Sequence, residues 1–171
     1  MDCNKYSQLA AIAEGTGVFK SSEITVLGEV LALCGIDPAK HYILFEETAL
    51  ENVVGFAIIG RTPCTGSTWD IYWLVVDKAH AGKGAAVSIL QKAENYILAR
   101  QSEAVIRIET SSREEYARAR GFYNKSGFAV SGLIHDFYAK EDNLIIYSKK
   151  ITSKNRESHS TAEPKILINA S

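Results

Sequence analysis

The chain contains 171 residues, 46% of them hydrophobic and 23% charged, with a formal net charge of −1. That length predicts a single domain with a sizeable core, and the balanced charge gives no general attraction to nucleic acid or to an anionic membrane. No apolar run approaches the roughly 20 residues of a membrane span, and the N-terminus lacks the pattern of a secretory signal. Cys3, Cys34 and Cys64 are widely spaced and form no metal or disulfide pattern, so we expect a reduced, cytoplasmic setting.

The N-terminal part of the chain predicts two helices followed by a β-hairpin. Residues 1–14 show a short helical pattern, and Ser21 or Ser22 provides the cap of a second helix with apolar positions at helical spacing. Residues 41–47 and 53–60 have the composition of two paired strands joined by a turn. We see no strand pattern ahead of the second helix.

The rest of the chain alternates between strands and helices. The predicted elements are a central strand at 69–76, a helix at 84–100, a strand at 104–109, a helix from Ser111 or Ser112 to about Lys125, and a final hairpin of residues 128–138 and 144–151. Strands that alternate with helices and then close in a hairpin indicate an α/β layer with a mixed sheet.

A run of small residues lies between the predicted central strand and the next helix. It reads Ala81-Gly82-Lys83-Gly84-Ala85-Ala86. Small residues let a ligand approach the backbone, and the first amides of a helix have no intrahelical partner and carry the positive end of its dipole. The run therefore predicts an anion site suited to a phosphate or pyrophosphate, with an unliganded Gly-rich turn as the alternative interpretation. It matches neither the Walker loop nor the dinucleotide fingerprint, which need differently spaced glycines.

A second motif follows about 35 residues later. It reads Ala119-Arg120-Gly121-Phe122-Tyr123-Asn124-Lys125-Ser126-Gly127-Phe128. The two segments, in this order, resemble two signatures of the GCN5-related N-acetyltransferase (GNAT) family: Gln/Arg-x-x-Gly-x-Gly/Ala, and an Ala followed by Phe-Tyr-x-x-x-Gly-Phe. Gly84 and Ala86 match the first signature, whereas Ala81 stands where Gln or Arg is usual. The resemblance covers about residues 16–151.

The resemblance implies the acyl-CoA N-acyltransferase (GNAT) fold, a mixed and mostly antiparallel central sheet flanked by helices. Here we expect that fold to lack its usual first strand. The acetyltransferase domain is expected to span residues 1–151, followed by a polar linker and tail at residues 152–171. Residues 165–169 of that tail are apolar, and we interpret them either as an edge strand of this or a neighbouring chain or as part of a disordered tail.

The resemblance also implies an activity: an N-acetyltransferase that moves an acetyl group from acetyl-coenzyme A to a primary amine by direct attack in a ternary complex. In the resembled fold pantetheine pairs like an extra strand with Leu74, Val75 and Val76, and the pyrophosphate rests on the amides of residues 81–86. We expect a small-molecule amine as acceptor, with no nucleic-acid or membrane partner, and leave a homodimer open. Nothing in the sequence identifies the acceptor.

Three residues are candidates for proton transfer. Tyr123 stands where the resembled family often has its general acid, and a satisfied core tyrosine is the alternative. Asp70 lies where some members have an acidic catalytic residue, but a free Asp with a pKa near 3.9 is a weak base and can equally well orient the amine or stabilise a loop. Glu109, at the end of the neighbouring strand, is the rival base.

The remaining candidates carry weaker predictions. Lys83, Lys92 and Lys125 could neutralise coenzyme A phosphates, and Trp69, Tyr72 and Trp73 line either the acceptor pocket or the core. The four histidines are scattered without metal-ligand spacing, so we expect no metal. A coenzyme A-binding regulatory module without catalysis is the second hypothesis, since Ala81 departs from the signature. A nucleotide-binding protein with an atypical phosphate loop is the third.

Overall fold

The computed structural model describes residues 3–36 and 42–153. Within these ranges helices and strands follow the predicted order. They are α1 (Cys3–Gly15), α2 (Ser21–Ile36), β1 (Ile43–Ala49), β2 (Asn52–Arg61), β3 (Thr68–Val76), α3 (Ala85–Leu98), β4 (Glu103–Ser111), α4 (Ala117–Lys125), β5 (Ala129–Ala139) and β6 (Asp142–Thr152). A short 3-10 helix precedes α3 at Lys78–His80, and another precedes α4 at Glu114–Tyr116. The proposed edge strand at residues 165–169 lies outside the described residues.

The strands form one sheet in the order β1-β2-β3-β4-β6-β5. Neighbouring strands are antiparallel except β3 and β4, which are parallel. A parallel pair needs a crossover connection, and α3 supplies it between these two strands. The predicted mixed, mostly antiparallel sheet flanked by helices is therefore confirmed, and in the described residues a helix, α1, stands where the first strand of the resembled fold is expected.

Helices cover the sheet on both faces, and each face has its own apolar core. On one face Leu27 and Leu31 of α2 pack with Phe56 and Ile58 of β2. On the other face α3 and α4 pack on a core that includes Ile106. Each fully buried aliphatic or aromatic side chain contributes about 1.5–3 kcal/mol relative to an exposed one, so the two cores hold the sheet between its helices.

The predicted cap of α4 is wrong. β4 continues to Ser111, and α4 begins only at Ala117, after the 3-10 turn. The Ser111 hydroxyl donates a hydrogen bond to Asp142, and the Ser112 hydroxyl accepts one from the Asn143 amide at 2.9 Å. Both serines therefore tie the end of β4 to the start of β6, a long-range pairing that local capping rules do not contain.

Gly55 of β2 lies where the sheet and helix α3 approach closely, and a substitution there can test this contact. A Cβ at this position would lie 2.8 Å from the Val75 carbonyl oxygen and 3.1 Å from Ile89 Cδ1 of α3. We expect Gly55→Ala to lower the free energy of unfolding by about 1–3 kcal/mol, because backbone atoms cannot yield as a flexible side chain does. Urea denaturation monitored by circular dichroism measures this.

The matched control is Gly28→Ala in α2, where an added Cβ meets nothing within 4 Å. That substitution should raise stability by about 0.5–1 kcal/mol, because alanine favours a helix over glycine. Equal shifts in the same direction for both variants would show that α3 does not pack tightly on Gly55.

Candidate active site

The site is organised by the point at which β3 and β4 separate. Their parallel pairing runs from Thr68 opposite Val105 to Ile71 opposite Ile108. Both strands continue beyond these pairs, but residues 72–76 and 109–111 do not pair with each other. The edge of β3 that faces β4 is therefore left with free backbone groups over Leu74, Val75 and Val76. Free strand edges of this kind bind extended ligands by adding a strand.

A β-bulge in β3 marks the start of the separation. Ile58 of β2 pairs with Trp73, whereas the next residue, Ile59, pairs with Ile71. Tyr72 is therefore an extra residue without a partner on β2. Bulges re-aim side chains next to functional sites. Here the bulge brings the successive side chains of Tyr72 and Trp73 to the wall of the same cavity.

That cavity has a volume of about 380 Å³ and opens beside the separated strands. Its wall is formed by the start of α2 and the loop before it, by residues 70–73 of β3, by the end of β4 and by Tyr116 and Tyr138. Side chains alternate along β4, so that Arg107 and Glu109 face the cavity while Ile106 and Ile108 face the core below α3. The cavity therefore combines carboxylates with aromatic rings.

Asp70 lies in this wall with both carboxylate oxygens occupied. Its Oδ1 accepts a hydrogen bond from Arg107 Nε at 2.6 Å, and its Oδ2 accepts one from the Thr62 hydroxyl at 2.8 Å. Only 7% of Asp70 is exposed. The hydrogen bond from Arg107 to this carboxylate raises the pKa of Arg107, so the guanidinium stays charged. This pairing favours a role for Asp70 in holding Arg107 over a role as proton acceptor.

Glu109 is the more accessible carboxylate. Its side chain is 41% exposed, and its Oε1 lies 3.3 Å from Nη1 of the same Arg107. The structure therefore brings the two candidate bases to one guanidinium, with Asp70 enclosed and Glu109 open to the cavity. The alternation of Arg107 and Glu109 was visible in the sequence, but their partner Asp70, on another strand, was not.

Tyr123 lies on the other face of the sheet. It is 7% exposed and packs against Phe122, Phe128 and Tyr147. Burial raises the pKa of Tyr123 to about 12, with smaller contributions from Tyr116 and Tyr147. The phenol is therefore neutral and a hydrogen-bond donor throughout the physiological pH range. It does not line the cavity described above and belongs instead to the core below α3 and α4.

Four of the six amides at residues 81–86, the predicted anion site, make no backbone hydrogen bond within the described ranges. Ala81 and Lys83 donate their amides to carbonyl oxygens within the loop, at 3.3 Å each. In the described part of the chain the amides of Gly82, Gly84, Ala85 and Ala86 make no backbone hydrogen bond. Gly82 and Gly84 have φ angles of +81° and +91°, which glycine adopts without strain. These four amides at the N-terminus of a 14-residue helix form the candidate anion site.

An arginine that sequence reasoning missed lies beside this loop. Arg118 Nη2 is 3.5 Å from the position of a Cβ on Gly82. Of the predicted lysines, Lys92 donates hydrogen bonds to Glu46 and Glu47 instead, whereas Lys83 and Lys125 are exposed. Arg118 belongs to α4, and only the packing of α4 against the loop brings the two together. The anion site thus has one neighbouring guanidinium.

A metal site and a membrane-spanning helix were also sought among the described residues. They contain no group of three or more His, Cys, Asp or Glu side chains arranged to hold a metal ion. None of their helices combines the length and the apolar character that a membrane crossing requires.

Comparison with known proteins identifies the class of this fold and site. The model of the acetyltransferase (GNAT) family matches residues 14–128, more than half of the 171 residues. The chain therefore belongs to the GNAT acetyltransferase family. None of the curated proteins matches it.

Solved structures agree with this assignment. A protein from Desulfovibrio desulfuricans assigned to the GNAT family is 27% identical, with a TM-score of 0.78 over 86% of this chain and 92% of that one. The ribosomal-protein-S18-alanine N-acetyltransferase of Escherichia coli is 17% identical, with a TM-score of 0.70 over 89% and 91%. An aminoglycoside 6′-N-acetyltransferase complexed with coenzyme A is also 17% identical, with a TM-score of 0.64 over 88% and 94%. At these lower identities the last two share the fold.

The raised pKa of Tyr123 predicts a loss of stability at alkaline pH. Below pH 10 the phenol is neutral in both the folded and the unfolded chain. Between its unfolded pKa near 10 and its folded pKa of about 12, the unfolded chain loses the proton first, so the folded state loses up to about 1.36 kcal/mol per pH unit. Tyr123→Phe removes this contribution, and the stability advantage of the wild type over the variant should shrink from pH 9 to pH 11.

Denaturant titrations of both proteins at several pH values measure that difference. The tyrosines that do not interact with Tyr123 contribute equally to both proteins and cancel. A wild-type advantage that is the same at pH 9 and pH 11 would contradict the burial of the Tyr123 phenol.

Proposed function

We propose that this protein transfers an acetyl group from acetyl-coenzyme A to a primary amine by direct attack within a ternary complex. The observation that carries the proposal is the separation of β3 and β4 beyond Ile71. This separation exposes the edge of β3, which leads to the four free amides of the following loop. It also lies beside the cavity that contains the accessible carboxylate of Glu109. Family membership supports acyl transfer, and the arrangement of these groups supports an amine acceptor.

The residues present fit acetyl-coenzyme A, which supplies an acetyl group activated as a thioester. Leu74, Val75 and Val76 would hold the pantetheine as an added strand. The amides of Gly82, Gly84, Ala85 and Ala86 would hold the pyrophosphate at the positive end of α3, with Arg118 beside the loop as a countercharge. Ala81 lacks the usual Gln or Arg side chain, but this difference does not remove any of the four free amides.

Glu109 is the proposed base. An alkyl ammonium has a pKa of about 10.4, so the acceptor must lose a proton before its nitrogen can attack. Glu109 is open to the cavity, whereas both oxygens of Asp70 are taken by Arg107 and Thr62. Asp70 then acts as a positioning residue, because it fixes the guanidinium that contacts Glu109.

Tyr123 is the proposed donor to the departing sulfur. Over the reaction the amine nitrogen gains a bond to the acetyl carbon and loses two protons, while the carbon–sulfur bond breaks and the sulfur takes up one proton. With a pKa of about 12, Tyr123 is a much weaker acid than a thiol, whose pKa is about 8.5. Complete transfer from the phenol to the thiolate is therefore uphill, and Tyr123 acts chiefly by donating a hydrogen bond that stabilises the developing charge.

A regulatory module that binds coenzyme A without turnover is the second candidate. Ala81, in place of the usual Gln or Arg, favours it. The presence of an open carboxylate in the cavity favours the enzyme. Release of the coenzyme A thiol in the presence of primary amines separates the two, because only the enzyme produces it.

The anion site predicts that Gly84→Glu abolishes binding of coenzyme A. The change places bulk and negative charge beside the free amides and strains a backbone with a φ of +91°. Isothermal titration calorimetry with coenzyme A measures the loss, which we expect to exceed about 100-fold, equivalent to about 2.7 kcal/mol. Gly66→Glu, in an exposed loop far along the chain from this site, is the control and should bind normally. Normal binding by Gly84→Glu would place the coenzyme elsewhere.

The proposed base predicts that Glu109→Gln lowers kcat by about 10²- to 10⁴-fold at neutral pH. The loss should be smaller at alkaline pH, where more of the amine is already deprotonated. Asp70→Asn keeps the shape of the side chain and should cost less than tenfold, since it weakens only the hold on Arg107. Steady-state rates of thiol release from pH 7 to pH 10 test both variants. A larger loss of kcat in Asp70→Asn than in Glu109→Gln, with folding intact, would make Asp70 the base.

A further inference from the structure

We propose that the cavity selects a small primary amine that carries a single positive charge on a flat apolar body, and that Glu23 anchors its ammonium group. This inference rests on the proposed acetyltransferase function and names the class of its acceptor. It excludes polycationic amines and peptides as preferred acceptors.

Aromatic rings supply the apolar wall of the cavity. The rings of Phe19, Tyr72, Trp73, Tyr116 and Tyr138 all contribute to it. Two of these rings are held by edge-on neighbours: Tyr72 by Tyr42 at 5.4 Å between centroids, and Tyr138 by Phe137 at 4.9 Å. Rings fixed in this way offer preformed faces to another flat group and to a cation.

Four carboxylates of the described residues line the cavity wall, and two of them are available to an ammonium group. Asp70 is paired with Arg107, and Asp142 is buried and accepts a hydrogen bond from Ser111. The two that remain are Glu23 and Glu109.

Glu23 has a fixed position at the start of α2. Its Oε2 accepts a hydrogen bond from the Lys20 amide at 2.7 Å, as in a capping box. Its Oε1 is the second acceptor. Both Glu23 and Glu109 lie close enough to Tyr138 to help raise the pKa of that phenol, after the larger effect of burial. Glu23, Glu109 and Tyr138 all line the same cavity, and this is where the proposal places the ammonium group of the acceptor.

The cations of the cavity wall oppose any further positive charge. Lys20, Arg107 and Arg113 line the wall together with the four carboxylates, which gives the lining a formal charge of −1, although Arg113 is also paired with Glu115 outside the wall. A polycation needs several free carboxylates to offset its desolvation and self-repulsion, and this cavity offers two. The volume of about 380 Å³ lies at the lower end of the roughly 300–1,000 Å³ typical of small-molecule pockets. Charge and size thus both favour a small, singly charged amine.

The decisive comparison uses 2-phenylethylamine and spermidine, which have similar numbers of non-hydrogen atoms but one and three positive charges. We expect kcat/KM for acetylation of 2-phenylethylamine to exceed that for spermidine by at least about tenfold, the equivalent of 1.4 kcal/mol. A short peptide with a free α-amine forms the third arm and should react more slowly than 2-phenylethylamine. Equal or faster acetylation of spermidine or of the peptide would overturn the inference while leaving the acetyltransferase function intact.

Two variants test the residues that carry the selection. Glu23→Gln keeps the capping hydrogen bond but removes the charge, so we expect KM for 2-phenylethylamine to rise about tenfold with little change in kcat. Tyr138→Leu should reduce the preference for 2-phenylethylamine over hexylamine by about threefold to tenfold, because it removes packing between two aromatic rings. Leu133→Ala is the control, because it lies exposed on the same strand as Tyr138 but outside the cavity wall. A fall in kcat alone for Glu23→Gln would contradict its anchoring role.

If no amine is acetylated, the proposed function fails. The selection of the amine can then still be tested by measuring equilibrium binding. Calorimetric titration of the full chain with each amine should still show tighter binding of 2-phenylethylamine than of spermidine, and weaker binding of 2-phenylethylamine to Glu23→Gln. Spermidine binding as tightly as 2-phenylethylamine would overturn the proposed selection.

Discussion

The separation of one parallel strand pair is the constraint on which the rest of the structure depends. β3 and β4 can be parallel neighbours only because α3 crosses between them, and α3 must therefore begin where β3 ends. That requirement brings the free amides of the helix start to the edge that β3 exposes. Because pairing stops at Ile71 and Ile108, the same short region offers unpaired backbone and helix amides beside the cavity. Without the separation, β4 would satisfy the edge of β3 and leave nothing for a ligand to pair with.

The two faces of the sheet divide the chemistry that we propose. Alternation along β4 directs Glu109 toward the face of α2, while Tyr123 belongs to the core below α3 and α4. A group held in the opening between the strands is then accessible from both sides, with a carboxylate on one and a neutral phenol on the other. The different environments suit the two roles: exposure keeps Glu109 in contact with solvent that can carry a proton away, and burial keeps Tyr123 protonated.

Much of the fold could be predicted from the sequence, because local periodicity determines which segments become helices and strands. The apolar positions of α2 and the strand predicted at residues 104–109 are of this kind, and both are confirmed. The features that were missed join residues far apart in the chain. Asp70 meets Arg107 across the parallel pair, Ser111 meets Asp142, and Arg118 meets the loop at Gly82. Tyr138 reaches the cavity through an irregular pairing between Ile134 and Ala139, which no periodicity encodes.

The Asp70–Arg107 pair explains how a guanidinium can lie beside Glu109, the proposed base, without forming a full ion pair with it. An arginine alone next to Glu109 would form a short, bidentate ion pair with it. Here Asp70 binds Nε of Arg107 at 2.6 Å, whereas Glu109 lies at the longer distance of 3.3 Å from Nη1. The positive charge is thus shared between two carboxylates. Thr62 fixes Asp70, Asp70 fixes Arg107, and the guanidinium orients Glu109 while leaving it open to the cavity. Asp70 was a candidate for the catalytic base. In the reaction that we propose, it instead acts indirectly, by holding Arg107 in position beside Glu109.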